Sequence, residues 1–349
     1  MDNKNSVCNA KTCRVLVVFG ILLCISLQKS RAVPVGVDLR RYGFSVGEAA
    51  YDLTYGLFYI SANRVVVYFD QKLPNLEKHS HSFQLLVLNL DGQVLAQRVI
   101  LADPKAMNIT AGPNGGVLFG RAGQLDFLDA ELRLVKSRPL SESVAAITFD
   151  RVLNQLVEIT ADPISQTQSA HFIDGNTLEE LLTLTYPIRG LAKFGEKQLA
   201  YTLGGNCVGS AHVVSDKWVS LSTIPACDLL TFIGNNSIAY AFDQQVYILD
   251  STGKQLLVMN IPAADTFQTP SFVGLSDDHA RLAIQALKKK LFANGKWPYY
   301  YEIFVYDLPS KHLMFRHPLP VENYSAALSP DGGHVVVIEE GILRFIPIS

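Results

Sequence analysis

Few residues in this 349-residue chain have the types and spacing that chemistry requires. His79 and His81 stand at alternate positions, so a strand through them would turn both imidazoles to one side, where they could share a metal ion. Two ligands fall short of a site, and no acidic or cysteine cluster accompanies them. With Pro74, Asn75, Glu77 and Lys78 beside them they read as a solvated loop, so His79 and His81 are only weak metal candidates and no metal site is expected. Gly43-Phe44-Ser45-Val46-Gly47 fits the Gly-x-Ser-x-Gly nucleophile elbow. That motif needs a central strand before it, a helix after it and an oxyanion loop from earlier chain, and the short stretch upstream supplies none of these. It is read as a strand end and a turn. The sequence holds no Gly-x-x-x-x-Gly-Lys, His-Glu-x-x-His or Cys-x-x-Cys pattern, so no catalytic residue and no cofactor is assigned.

A different chemistry is concentrated near residue 290. Lys288, Lys289, Lys290 and Lys296 are interleaved with Phe292, Trp297, Tyr299, Tyr300 and Tyr301. Aromatic anchors beside basic groups suit a protein interface or an anionic glycan or lipid headgroup. The competing reading is an extended hairpin whose aromatics pack on their own sheet while the lysines keep it soluble. Across the chain, 30 Lys and Arg nearly balance 32 Asp and Glu, and 18% charged residues stand against 48% hydrophobic ones. This is a globular balance with no electrostatic footprint for nucleic acid.

The elements that must position these groups are strands. From about Val35 onward, short apolar, β-branched or aromatic runs alternate with Gly, Asn, Asp and Pro turns, with little helical periodicity. The clearest unit runs from Leu229 to Ile261: four strands joined by tight turns, one antiparallel meander. Third strands ending in an acidic turn recur before Asp91, Asp129, Asp174, Asp216, Asp250 and Asp307. Their intervals centre on the roughly 40 to 50 residues of a four-stranded propeller blade. A further unit from Tyr324 to Ile348 stops one strand short, and the segment Val35 to Tyr42 can supply the missing strand. The expected fold is therefore all-β, a β-propeller of seven four-stranded blades (six as the alternative), closed by pairing of the N- and C-terminal strands. Long connections between second and third strands are expected at Asp70 to Ser82, Ala161 to Ser169 and Lys288 to Pro298, all on one face, where a rigid scaffold carries its binding function.

Leu328-Ser329-Pro330-Asp331-Gly332-Gly333-His334-Val335-Val336-Val337 resembles the turn and following strand of the secreted WD-like and TolB-like (PD40) repeat propellers. Leu275-Ser276-Asp277-Asp278-His279-Ala280-Arg281-Leu282 is a looser copy, and Ala111-Gly112-Pro113-Asn114-Gly115-Gly116-Val117-Leu118 a third. The Trp-Asp ending of true WD repeats is missing. The resemblance implies a fold and leaves the activity open.

Residues 1–32 have the order of a secretory signal peptide: Lys4, Lys11 and Arg14, an unbroken apolar run from Val15 to Leu27, then Ser30-Arg31-Ala32. The run is shorter than the roughly 20 residues that span a bilayer. Cleavage after Ala32 is expected, leaving residues 33–349 as one domain, with an uncleaved anchor as the alternative and the sole membrane contact. Export places the protein in a periplasmic or extracellular setting, where thiols pair. Loss of Cys8, Cys13 and Cys24 with the signal leaves Cys207 and Cys227, read as a structural disulfide. Asn108-Ile109-Thr110, Asn235-Asn236-Ser237 and Asn323-Tyr324-Ser325 match the N-glycosylation pattern, which matters only in a host that glycosylates. The functional expectation is an exported, monomeric, non-catalytic propeller that binds a protein or glycan through its long-loop face, with Lys288, Lys289, Lys290, Lys296, Trp297, Tyr299 and Tyr300 as the candidate contact residues. The alternative is a propeller enzyme, lactonase-like or quinoprotein-like, working near the central channel.

Overall fold

The computed structural model describes residues 35–45, 55–71, 81–102, 108–121, 123–141, 144–187, 191–203, 210–215, 224–225, 228–234, 237–242, 244–250, 253–262, 270–289, 299–319 and 324–348. The chain enters through β1 (Val35–Asp38) and a 3-10 turn, Leu39–Tyr42. The first sheet is then β2 (Tyr55–Ser61), β3 (Arg64–Gln71), β4 (His81–Asn89) and β5 (Val94–Ala102). The second is β6 (Asn108–Ala111), β7 (Val117–Arg121), β8 (Gln124–Leu128) and β9 (Leu134–Pro139). The third comprises β10 (Val144–Asp150), β11 (Gln155–Asp162), β12 (Thr167–Asp174) and β13 (Glu180–Pro187). β14 (Leu191–Gly195), β15 (Gln198–Leu203), β16 (Ser210–Ser215) and β17 (Ile224–Pro225) form the fourth. The fifth is β18 (Asp228–Ile233), β19 (Ser237–Phe242), β20 (Gln245–Asp250) and β21 (Gln255–Asn260). β22 (Ser271–Leu275), β23 (Arg281–Lys289), β24 (Tyr299–Asp307) and β25 (His312–Leu319) form the sixth. The seventh joins β26 (Tyr324–Leu328), β27 (His334–Glu339) and β28 (Ile342–Pro347) to β1. Among the described residues there are thus seven four-stranded sheets, each an antiparallel meander.

Burial explains why the strands read as they do. Second strands carry continuous apolar runs: Val65, Val66 and Val67 of β3, and Val335, Val336 and Val337 of β27, are all fully buried. A half-buried strand would alternate, so these must be covered on both faces. The hydrophobic clusters show by what. One cluster joins the first sheet to the second and third, others join the third to the fourth, the fourth to the fifth, the fifth to the sixth and the sixth to the seventh, and another returns from the seventh to the first. The core is a ring of inter-sheet layers around an axis, which is the geometry of a β-propeller.

The ring is closed by the two ends of the domain. β1 pairs antiparallel with β28, with Val35 opposite Phe345 and Asp38 opposite Ile342. The segment expected to complete the last unit therefore does so through residues 35–38, and residues 39–42 form the 3-10 turn. That turn also disposes of the elbow motif. Gly43 caps the turn with φ of 92°, and Phe44 packs edge-on against Tyr55 and Phe69, so Ser45 follows a 3-10 turn and no strand.

The acidic turns serve as backbone clamps. Asp129 Oδ1 accepts from the N–H groups of Glu131 and Arg133, Asp174 Oδ1 from Asn176 and Thr177, and Asp250 Oδ1 from Lys254. In the first sheet the expected acid, Asp91, does not have this role. Asn89 does, its amide oxygen accepting from Gln93 N–H, because a carboxamide oxygen takes a backbone donor as a carboxylate does. Asp216 lies outside the described residues.

The three expected long connections are shorter than they read. β11 and β12 stay paired to Asp162 and Thr167, so the third-sheet connection is a tight turn in which Asp162 Oδ1 accepts from Ile164 N–H and Gln166 takes φ of 58°. Thr167, Gln168 and Ser169 lie on β12, because polar side chains on a third strand reach solvent without breaking the ladder, and Ser165 and Gln166 stay in the turn. The other two connections narrow to 72–80 and 290–298.

Removing the chain before Leu39 would leave the β28 edge unpaired. It should lower stability by roughly 2 kcal/mol, about one part-buried valine plus its ladder hydrogen bonds, and promote self-association. Urea unfolding beside the parent checks this, and an unchanged midpoint would show that β1 is dispensable.

Candidate functional site

Seven first strands, β2, β6, β10, β14, β18, β22 and β26, surround a cavity of about 590 Å³ on the axis. Its wall is mainly apolar, with Phe58, Phe194 and Phe272 among the larger groups, and is broken by polar ones such as Thr110, Thr148, Thr231, Gln155 and Lys193. The strands crowd closely: a Cβ at Gly274 of β22 would lie 2.7 Å from Leu328 Cβ of β26. Glycine is needed there for approach, not for its backbone angles.

The cavity also touches the turns between first and second strands, including Arg151, Gly234, Asp277 and His279. Arg151 from the third sheet forms an ion pair with Asp277 from the sixth, across the axis, with side chains 25% and 41% exposed. Each neutralises the other at the mouth. Asp277 is held in turn by its own N–H, which donates to Pro330 O at 2.7 Å in the seventh sheet, and Arg281 Nη1 donates to Gly332 O at 2.6 Å.

The two turns that resemble each other in sequence share one hydrogen-bond pattern. Ser276 Oγ donates to Asp278 Oδ1 and accepts from Arg281 N–H, while Ser329 Oγ donates to Asp331 Oδ1 and accepts from His334 N–H. The carboxylates accept further from Ala280 N–H and Gly333 N–H. The third copy, at Gly112 to Gly116, lacks both side chains and closes by Gly112 N–H to Gly116 O instead. The Ser276 hydroxyl, followed by the Ala280 N–H, holds the Asp278 carboxyl below the usual carboxylate range. At Asp331 burial works upward, yet the Ser329 hydroxyl and Gly333 N–H outweigh it and the net shift is down. These acids are engaged in holding turns. Tyr59, 7% exposed, lines the cavity with a hydroxyl that has no hydrogen-bond partner among the described residues. Burial, reinforced by the charge of Asp331, pushes its ionisation far up, so it stays a phenol at neutral pH.

The connections between second and third strands, and those from one sheet to the next, leave the opposite ends of the strands. The lysine and tyrosine candidates are there. Lys288 lies opposite Tyr300, and Lys289 opposite Tyr299, in the ladder of β23 with β24. Lys290, Lys296 and Trp297 lie outside the described residues, as do His79, Cys207 and Cys227. His81 is the first residue of β4, opposite Ala102, and not part of a loop as its neighbours suggested. Among the described residues no group of three His, Cys, Asp or Glu could hold a metal ion. The Arg151–Asp277 pair was not foreseen from sequence, and no local signal could reveal it, since its partners are 126 residues apart.

No protein-family model matches the sequence, and no curated protein matches it. Solved structures do match. A chain of the Mitotic Checkpoint Complex aligns with 100% of this chain and 97% of its own, at 16% identity and a TM-score of 0.54. The β-propeller domain of the Trilobed protease from Pyrococcus furiosus, described as having an open velcro topology, aligns with 83% of this chain and 91% of its own (12% identity, TM-score 0.52). The fold is that of a β-propeller. Pyrococcus horikoshii acylaminoacyl peptidase (11% identity, TM-score 0.53) aligns over 78% of this chain but 47% of its own length. At these identities the likeness is one of fold.

The depressed carboxylates fix the sign of a pH effect. Their contribution is complete above about pH 4, the unfolded value, and is lost as the pH falls through the lower folded values. Replacing Ser276 and Ser329 together by alanine should cost about 1 kcal/mol per turn near pH 7, and less at about pH 3, below the unfolded value, where part of the contribution is already lost. Urea titrations at the two pH values test this, and an equal loss at both would mean the hydroxyls do not act through the acids.

Proposed function

We propose that this chain is an exported seven-bladed propeller, with each four-stranded sheet as one blade, that binds a protein or glycan through the face carrying the connections 72–80 and 290–298. The observation that carries the reading is the length of the strands leading to that face. β4, β5, β23 and β24 have 9 residues each, more than the strands of any other sheet. They belong to the first and sixth sheets, which flank the seventh, where the chain ends pair. Two extended blades on either side of the closure give a rigid base for a contact surface. Lys288, Lys289, Lys290, Lys296, Trp297, Tyr299 and Tyr300 form its basic and aromatic part, suited to acidic protein or anionic glycan groups. The turn chemistry at Ser276 and Ser329 supports kinship with the WD-like and TolB-like repeat propellers.

The second reading, an enzyme of lactonase-like or quinoprotein-like type, is favoured by the cavity of about 590 Å³ on the axis, which is large enough for a small molecule. The mutual neutralisation of Arg151 and Asp277 at its mouth weighs against it. Export carries a covalent consequence. Leu203 pairs with Ser210 and Ser210 with Pro225, so the connection holding Cys207 and the link holding Cys227 start from adjacent strand ends. A Cys207–Cys227 bond there closes a loop worth roughly 3 kcal/mol.

Immobilised secreted protein is expected to retain a partner from an extract of its own cell envelope. A folded variant with Lys288, Lys289, Lys290 and Trp297 changed to alanine should lose it. Equal retention by both, or by neither, removes the loop-face reading, and a stoichiometric metal or chromophore in the pure protein would favour the enzyme. Mass spectrometry of the same secreted, unreduced protein should find Val33 at the N-terminus and Cys207 joined to Cys227; a free thiol at both positions would refute the disulfide.

A further inference from the structure

The outer strand of a blade has one edge without a neighbour, and its unpaired N–H and C=O groups can template another strand. Most outer strands here are protected. β9 carries exposed Lys136 and Pro139, β13 begins with exposed Glu180 and ends in Pro187, and β25 carries exposed Arg316 and Pro318. β17 has 2 residues and β1 has 4, and both are too short to template much; β21 carries neither charge nor proline and leaves Leu256 50% exposed, but has only 6 residues. β5 is different. It has 9 residues and ends the order β2-β3-β4-β5. Gln97, Val99 and Leu101 alternate on its exposed face, with Val99 53% and Leu101 55% exposed. Ala96 and Ile100 pack instead against the layer shared with the second sheet. Arg98, the only charged residue of β5, is turned the same way, its Nη1 donating to Leu132 O at 2.7 Å.

We propose that β5 is a self-association edge, at which two copies of this chain pair their β5 strands antiparallel about a twofold axis at Val99. The choice of a second copy rests on the charge pattern of the strand. With Val99 opposite Val99 of the second copy, Gln97 meets Leu101 and Leu101 meets Gln97 on the exposed face. On the other face Arg98 falls opposite Ile100 and Ala96 opposite Ala102. No like charges face each other across the twofold, so the charge pattern of the strand permits the isologous contact. The pairing joins two four-stranded sheets into one of eight and covers the apolar strip. A ladder this short buries less than a stable dimer interface, so the association is weak and depends on concentration. This departs from the monomer expected from the sequence, and it does not depend on the loop-face reading.

Sedimentation velocity of the secreted protein from about 1 to about 200 μM, the range for a contact of this size, should show a concentration-dependent dimer. Val99→Lys places two like charges opposite each other across the twofold and should weaken association at least about tenfold. Val135→Lys on β9, at a site 68% exposed, should leave it as in the parent. If Val99→Lys does not fold, Gln97→Lys serves as the second variant, since it loads the same face. Hydrogen exchange read along the same series should find the β5 amides more protected in the dimer. A parent that stays monomeric throughout, a dimer indifferent to both lysines, or protection that appears elsewhere overturns the proposal.

Discussion

The structure depends on burial of apolar surface on both faces of every sheet. A single four-stranded meander whose second strand carries a continuous apolar run cannot hide Val65, Val66 and Val67 by itself. It needs a neighbour on each side, and so does each neighbour, so only a closed ring satisfies all of them. The weak point of such a ring is the seam, and here a strand of 4 residues, Val35–Asp38, holds it by pairing with β28. The hydrophobic layer between the seventh and first sheets continues through Leu39, fully buried just past that strand.

Polar groups supplement this ring rather than drive it. The Asp, Asn and Ser side chains at turns accept or donate to backbone groups that would otherwise be stranded where the chain reverses. Contacts between sheets have the same character: Gln155 Nε2 donates to Gly195 O at 3.1 Å, Tyr306 Oη to Asn260 O at 2.9 Å, and His317 Nε2 lies 3.1 Å from Glu339 Oε1. Each ties one sheet to the next without crossing the axis. Arg151 and Asp277 do cross it, which makes that pair a direct polar link between opposite sides of the cavity mouth.

The two ends of the ring therefore have different characters. At one end short turns, engaged carboxylates and a neutralised ion pair surround the mouth of the cavity. At the other end the first and sixth sheets present their longest strands, β4, β5, β23 and β24.

Strand identity, the four-strand repeat and closure by the N-terminal segment were legible in the sequence, because each rests on local alternation, turn residues and regular spacing. The Ser-x-Asp turns were legible too, since donor and acceptor lie within two residues. The sequence misread the third-sheet turn as a loop, because polar residues near a turn look alike whether or not their backbone is paired. It could not show that Asn89 replaces Asp91, that Arg151 meets Asp277, or that Arg98 turns away from the exposed face of β5. Those outcomes depend on which residues from distant parts of the chain are brought together by ring closure, and that is decided by packing in three dimensions.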